Sequence, residues 1–390
     1  MPRNAILVTG GTGYVGSHVV RAILADDTPD RPEIRVLSRG ELPSWMVDAG
    51  VVEVHGDLAA PAGLRGACDG VATLVHLAAT VGRDVAECDA VNTDGTVAIL
   101  AEARRAGTKR VVYVSTTSVY GNGVHQGATE SLLAPAPVSA ASRSKLAAER
   151  AVRAVGGIVL RPHLTYGPGD RWFVPTLLRL LDEVPAWIDG GAALMSVVSV
   201  QDLAAVTATL ARRPWGPRPG AVFHVSQPRP VSVHAFAHRI CTPLGIRLPE
   251  HDLPSTVHRA LTRNAIPDLS DHQFSLLAED HWYESSRIWR ALDIAPEELA
   301  DLDDAVSWYR TLGAAQLPLG AFGAHDRQRV GRRDPRQHRA PHGRDGIGDV
   351  AVANSGPPHH FQPGRHSEDD RGHFFDVDVG KKFSGPLGRQ

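Results

Sequence analysis

The chain has 390 residues and a mass of 41.8 kDa, room for about two to three domains and a sizeable core. Its 41 Lys+Arg balance 43 Asp+Glu for a net charge of -2, which excludes a global basic field for nucleic acid or an anionic membrane, and 43% hydrophobic residues exclude a wholly disordered chain. Three cysteines, Cys68, Cys88 and Cys241, without C-x-x-C spacing speak against a disulfide framework or a thiolate zinc site, and no apolar run approaches the roughly 18 residues of a membrane span, so a cytoplasmic protein without metal, nucleic-acid or membrane partner is expected.

Short apolar runs recur at 5–8, 34–37, 51–54, 73–77, 110–114 and 157–160. Their β-branched character suits strands buried on both faces of a parallel sheet. The intervening stretches 95–106 and 144–155 are rich in Ala, Leu, Glu and Arg, which are good helix formers. This alternation predicts an α/β, doubly wound parallel sheet. After Pro162 the pattern loosens into a loop holding Gly167-Pro168-Gly169, a helix-like stretch at 174–181, and strand-like runs at 195–200 and 221–225, with proline-rich breaks at 214–219 and 228–230. The tail, 319–390, is dominated by Gly, Pro, Arg, Asp and His. It buries too little apolar surface to offset its ordering entropy, so it is expected to be disordered, with His359 and His360 read as solvated coil rather than metal ligands.

The sharpest motif is Thr9-Gly10-Gly11-Thr12-Gly13-Tyr14-Val15-Gly16, between the first strand and a helix starting near Ser17. Gly10 permits the tight turn, Gly13 lets backbone approach a pyrophosphate, and Gly16 lets helix and strand pack closely. The helix N-terminus then receives the negative charge. The second strand ends Leu37-Ser38-Arg39 rather than in an acidic residue. Arg39 suits a 2′-phosphate, which favours NADP and leaves NAD open, Glu41 nearby allowing Arg39 to be a solvated loop residue. The dinucleotide-binding domain is accordingly assigned to 1–165 and 196–226, and a smaller mixed α/β substrate-binding part to 166–195 and 227–318.

At these motifs the chain resembles the extended short-chain dehydrogenase/reductase family, which includes nucleotide-sugar epimerases and dehydratases, 4-ketoreductases and hydroxysteroid dehydrogenase-like enzymes. The resemblance covers roughly residues 4–312. It adds Gly56-Asp57-Leu58, His76-Leu77-Ala78-Ala79, Val91-Asn92-Thr93-Asp94-Gly95-Thr96, Val114-Ser115-Thr116-Thr117-Ser118-Val119-Tyr120-Gly121, Ser144-Lys145 with Glu149, Leu160-Arg161-Pro162, Tyr166-Gly167-Pro168-Gly169-Asp170, Val200-Gln201-Asp202-Leu203 and Ala305-Val306-Ser307-Trp308-Tyr309. It implies a Rossmann-type fold. It also implies that Asp57 and Leu58 border the adenine, that Leu77, Ala78, Ala79 and Val114 line the cofactor alongside Gly10, Thr12, Gly13, Tyr14, Val15 and Gly16, and that Lys145 holds the nicotinamide ribose. Thr116 falls where the family carries a substrate-polarising hydroxyl. A homodimer through helices near 93–106 and 142–155 is implied too, although the same alanine-rich faces could pack within one chain.

One departure stands out. The family's Tyr-x-x-x-Lys, aligned on Lys145, requires tyrosine at a position where this chain has Ala141. Losing a positioned general acid costs about 10²–10⁴ in rate. Tyr120, Ser139, Ser142, His163 and Tyr166 are the nearby candidates to replace it, each with an ordinary loop or core role as the alternative. On the substrate side, the arginine that nucleotide-sugar members place before Val-x-Asp is replaced by Met195-Ser196. Trp172, Phe173, Val174, Leu177 and Trp187 could line an apolar pocket or fill a core, while Arg171, Arg179 and Arg287 could serve a diphosphate. The expected function is an NAD(P)-dependent oxidoreductase, a ketoreductase or epimerase acting on a small-molecule carbonyl or alcohol, either a 4-keto-deoxysugar nucleotide or a polyketide- or steroid-like compound. The alternative is a catalytically altered or inactive dinucleotide-binding protein, a non-redox enzyme or sensor.

Overall fold

A computed structural model describes residues 4–25, 31–213, 219–296, 299 and 302–312. The expected tail at 319–390 and its histidines lie outside the described residues. The first part runs β1 (Ala5–Thr9), α1 (Tyr14–Leu24), β2 (Glu33–Ser38), α2 (Ser44–Asp48), β3 (Val52–His55), β4 (Val71–His76), α3 (Val85–Cys88), a π-helical turn (Asp89–Asp94), α4 (Gly95–Ala106), β5 (Arg110–Val114), β6 (His125–Ala128), α5 (Ala140–Ala154), β7 (Ile158–Pro162) and β8 (Leu164–Tyr166). It continues with α6 (Phe173–Glu183), β9 (Trp187–Ile188), β10 (Leu194–Met195), β11 (Val197–Ser199), α7 (Val200–Arg212), β12 (Val222–Val225), β13 (Val231–Ser232), α8 (Val233–Leu244), β14 (Asp252–Leu253), α9 (Ser255–Ala265), α10 (Asp271–Ala278), β15 (His281–Tyr283), α11 (Ser286–Leu292) and α12 (Asp303–Leu312).

Seven strands form one sheet in the order β12-β7-β5-β4-β1-β2-β3, every pair of them parallel. The β1 residues are all buried because helices cover both faces, which is why these strands read as continuous apolar runs. The strand order reverses between β1 and β4. Backbones diverge there beyond the carboxyl ends of the strands and leave a crevice, the usual ligand position in an open α/β sheet. The doubly wound Rossmann-type sheet is therefore present.

The run expected at 195–200 is two strands instead of one. Its start, β10, enters a four-stranded sheet in the order β13-β10-β15-β6, whereas β11 pairs in parallel with β8. Ser196 turns the chain between them and anchors it, its backbone N–H donating to His281 O and its Oγ accepting from Tyr283 N at 3.0 Å. The helix expected at 174–181 is α6, whose buried Phe173, Val174, Leu177, Leu178, Leu180 and Leu181 make one apolar stripe. Asp170 caps it, accepting from the backbone N–H groups of Trp172, Phe173 and Val174 at 2.8–3.0 Å. Phe173, Val174, Leu177 and Trp187 all sit in a core cluster with residues of α8, α10 and α12. They fill a core rather than line a pocket, and Trp172 alone of the five is exposed.

Candidate active site

A cleft of about 590 Å³ lies at the strand-order reversal. The turn after β1 forms its floor: Gly10 has φ +69°, and a Cβ there would stand 2.6 Å from Ala78 N. A Cβ on Gly16 would stand 2.0 Å from Gly10 O. The two glycines thus keep the start of α1 tight against β1 and the loop after β4. The first turn of α1 holds no acidic residue, and its N-cap, Gly13, offers no side-chain acceptor. Its unsatisfied N–H groups are left for an anion in the cleft. This cradle fits a dinucleotide pyrophosphate.

Gly10, Thr12, Gly13, Tyr14, Val15, Gly16, Arg39, Asp57, Leu58, Leu77, Ala78 and Ala79 all line this cleft. Ser38 also lines it, but its hydroxyl donates to Gly40 O at 2.6 Å. Arg39 is exposed and has no ion pair among the described residues. Thr9 and Val91, members of the quoted motifs with no role assigned to them, also line the cleft, as do Thr80 and Glu87, which the sequence did not single out.

Val114, Thr116 and Lys145 lie outside this lining, grouped at the carboxyl end of β5. Lys145 Nζ donates to Val114 O at 3.1 Å. Burial lowers the Lys145 ammonium from its ordinary value to about 8, with the charge of Glu149 opposing the shift. Thr116 is half-buried and caps the short 3-10 turn Thr117–Tyr120: its Oγ1 accepts from Ser118 N at 3.1 Å and donates to Ser118 Oγ at 3.2 Å.

A network that carries no role in the sequence reading fixes this arrangement. Thr96 Oγ1 donates to Asn92 O at 2.5 Å, so it accepts from His76 Nε2–H at 2.8 Å. The other ring nitrogen of His76 then accepts from Thr9 Oγ1 at 2.6 Å. Burial holds His76 neutral, its pKa lowered to about 3. Asn92 Oδ1 accepts from Thr80 N, and its amide donates to Thr80 O and Ser144 Oγ, all within 2.8–2.9 Å. Asn92 thereby ties the loop after β4 to α5. Its signal was the Asn92-Thr93-Asp94-Gly95-Thr96 string, whose partners 50 residues on were not visible in one dimension.

The candidate replacements for a tyrosine at 141 are placed as follows. Tyr120 OH accepts from Arg161 at 2.7 Å and donates to His224 at 2.6 Å. Ser139 and Ser142 close a capping box at the start of α5. Tyr166 is buried edge-on against Phe236. His163 Nδ1 meets Thr117 Oγ1 at 2.7 Å, while its Nε2 is buried without a partner. On the substrate side, Arg179 is paired with Asp268 at 2.8 Å and Arg287 with Glu130 at 3.2 Å. Met195 is fully buried, and Arg171 is exposed. Neither Arg179 nor Arg287 is therefore left to serve a diphosphate.

The model of the NAD dependent epimerase/dehydratase family matches residues 6–226, more than half of the chain. A 4-hydroxy-2-methyl-3-oxo-4-farnesyl-3,4-dihydroquinoline-1-oxide ketoreductase from Stigmatella aurantiaca is 30% identical over 267 residues, covering 65% of this chain and 77% of the relative. A 3 beta-hydroxysteroid dehydrogenase/Delta 5-->4-isomerase from Mycobacterium tuberculosis is 29% identical over 268 residues, covering 63% and 70%. Among solved structures, the dTDP-glucose 4,6-dehydratase DesIV from Streptomyces venezuelae, with NAD and TYD bound, superposes with a TM-score of 0.58 at 27% identity and covers 79% of this chain and 97% of its own. No described helix is long and apolar enough to cross a membrane.

Proposed function

Since the chain belongs to the NAD dependent epimerase/dehydratase family, we propose that it is an NADP(H)-preferring ketoreductase acting on a largely apolar, phosphate-free carbonyl compound. The observation that carries the choice of substrate is the cation inventory. Met195 stands where a phosphate-binding arginine is expected, Arg179 and Arg287 are each paired with a carboxylate, and of the candidate arginines only the exposed Arg171 has no such pair among the described residues. A nucleotide diphosphate would pair best with fixed guanidinium groups. The relatives from Stigmatella and Mycobacterium, named for a farnesyl-quinoline and a steroid, support the same direction.

In this reading the α1 N-terminus with Gly10, Gly13 and Gly16 holds the pyrophosphate. Asp57 and Leu58 border the adenine, Leu77 to Ala79 line the cleft, and Lys145 holds the nicotinamide ribose. The cofactor, when bound, supplies or accepts the hydride. Thr116 would present its hydroxyl to the substrate oxygen, turning its donor from Ser118 toward the charge that develops there.

The test is NADPH consumption by the full chain on a panel of apolar ketones against sugar-nucleotide ketones. Thr116→Val should lower kcat/KM by about 10–100-fold while leaving dinucleotide affinity unchanged. Turnover confined to sugar nucleotides would overturn the substrate assignment. The alternative role, binding without turnover, is favoured by Ala141 and is recognised by tight dinucleotide binding with no ketone reduced.

Cofactor choice rests on Arg39. Calorimetry should find NADP⁺ bound at least about 10-fold more tightly than NAD⁺, the worth of one charge-assisted contact at an exposed site. Arg39→Asp should reverse the order. Equal affinities in the parent protein would remove Arg39 from the site.

A further inference from the structure

We propose that Lys145 is itself the acid that protonates the substrate oxygen, acting across the space that alanine leaves at position 141, one helical turn before it on α5. The inference rests on the ketoreductase reading. Residues four apart on a helix share a face, so Ala141 and Lys145 present to the same space. Ala141 is half-buried and, ending at Cβ, is far smaller than the tyrosine that the family pattern places there. Lys145 carries three donors, of which one is used on Val114 O and one is assigned to the nicotinamide ribose, leaving the third for the substrate oxygen.

The other candidates are spent or uncharged. Tyr120 sits between Arg161 and His224, Ser139 and Ser142 cap α5, and Tyr166 is packed in the apolar core. His163 has a free Nε2, but burial and the neighbouring His281, His125, His272 and His224 push its pKa well below the ordinary value. It is neutral at working pH, and neutral imidazole is a very weak acid. Lys145, lowered to about 8 by burial, is charged at neutral pH yet releases its proton readily, the match that general acid catalysis needs.

The surroundings of Lys145 keep this setting. Glu149, on its own helix, opposes the downward shift and is itself paired with Arg161 of β7. Tyr113 of β5 presents its ring 5.6 Å from Nζ, and His76 of β4 is held neutral. Glu87 on α3 and Asp89 and Asp94 on the π-helical turn are the acidic groups of the elements packed on the N-terminal part of α5, and all three are exposed. With reduced dinucleotide bound, the cofactor would supply a hydride to the carbonyl carbon, and the C=O π pair would move onto oxygen. That oxygen takes a proton from Lys145 Nζ, leaving a neutral amine that solvent reprotonates.

The chain has four lysines, Lys109, Lys145, Lys381 and Lys382, so their ammonium signals are separable by nitrogen-15 NMR of the full-length, cofactor-free protein. Lys145→Arg identifies the signal. It should titrate near pH 8, and titration at the ordinary value of about 10.4 overturns the proposal. Ketone reduction should fall above about pH 8. Lys145→Arg, which keeps the charge but cannot release a proton, should lose at least about 100-fold in kcat and with it the break in the profile. His163→Gln should stay within about 3-fold. Reduction that is flat from pH 7 to 9, or a break that disappears in His163→Gln, overturns the role of Lys145 and leaves the reductase reading standing. Dinucleotide binding with no ketone reduced overturns the reductase reading and the proposal together.

Discussion

Replacing Arg161 with methionine while Glu149 stays in place should destabilise the protein by about 3–5 kcal/mol, read from the urea midpoint. Both side chains are almost completely buried, at 4% and 1% exposure. Arg161 Nε donates to both oxygens of Glu149, at 2.9 and 3.2 Å, and Nη2 donates to the carboxylate as well. Its remaining arm donates to Tyr120 OH, which donates on to His224 Nε2, so that His224 Nδ1–H is directed at Glu284 O at 3.2 Å. Removing one partner of such a pair strands the other charge in the interior, and that stranded charge is the source of the cost. Replacing both with methionine should cost much less than the sum of the two single changes, because no charge is then left behind. A loss below about 1 kcal/mol in the single variant would show that water reaches the carboxylate.

Acidification from pH 7 to 5.5 should cost about 4 kcal/mol of folding stability, well before ordinary carboxylates protonate. Burial lowers His76 and His224 to about 3 and His125 to about 4. Their folded values lie below the unfolded value of about 6.5. Stability is thus fullest above pH 6.5 and declines as pH falls from there toward 3, because the unfolded chain takes up protons that the folded imidazoles refuse. At pH 5.5 each such histidine contributes about 1.4 kcal/mol to the loss, so three contribute about 4 kcal/mol. His163 and His281 are shifted the same way. Urea midpoints at the two pH values measure the effect, and an unchanged midpoint would mean that these rings gain charge without unfolding.

The seven-stranded sheet and the glycine turn were legible in the sequence for a physical reason. Parallel strands covered on both faces are mostly apolar, as β1, β4, β5 and β7 are, and the close approaches at Gly10 and Gly16 admit no side chain. The second sheet was not legible. β6 is His-Gln-Gly-Ala and β15 is His-Trp-Tyr, short runs with no apolar alternation, and they pair across more than 150 residues. The same distance hid the histidine cluster, in which the rings of His125 and His163 both meet that of His281 while His224 joins through Tyr283. The split of 195–200 into two strands turns on Ser196, whose hydroxyl answers a backbone N–H 87 residues away. Ala141 was conspicuous as a departure from the family pattern. The titration of Lys145 beside it depends on burial, which a residue order does not express.

Tyr309 of α12 donates to Asp170 Oδ2 and accepts from Gly167 N, both at 2.9 Å, while Trp308 Nε1 donates to Asp170 O at 3.1 Å. The loop they hold packs Gly169 against the ring of Tyr14, where a Cβ would come within 2.7 Å. Tyr14 opens α1 and lines the cleft. A chain emerging from the ribosome therefore has its glycine turn early, but the wall behind that turn waits for nearly 300 further residues. This corner of the cleft is the last to be secured during synthesis, and long-range closure of this kind is slow compared with local pairing.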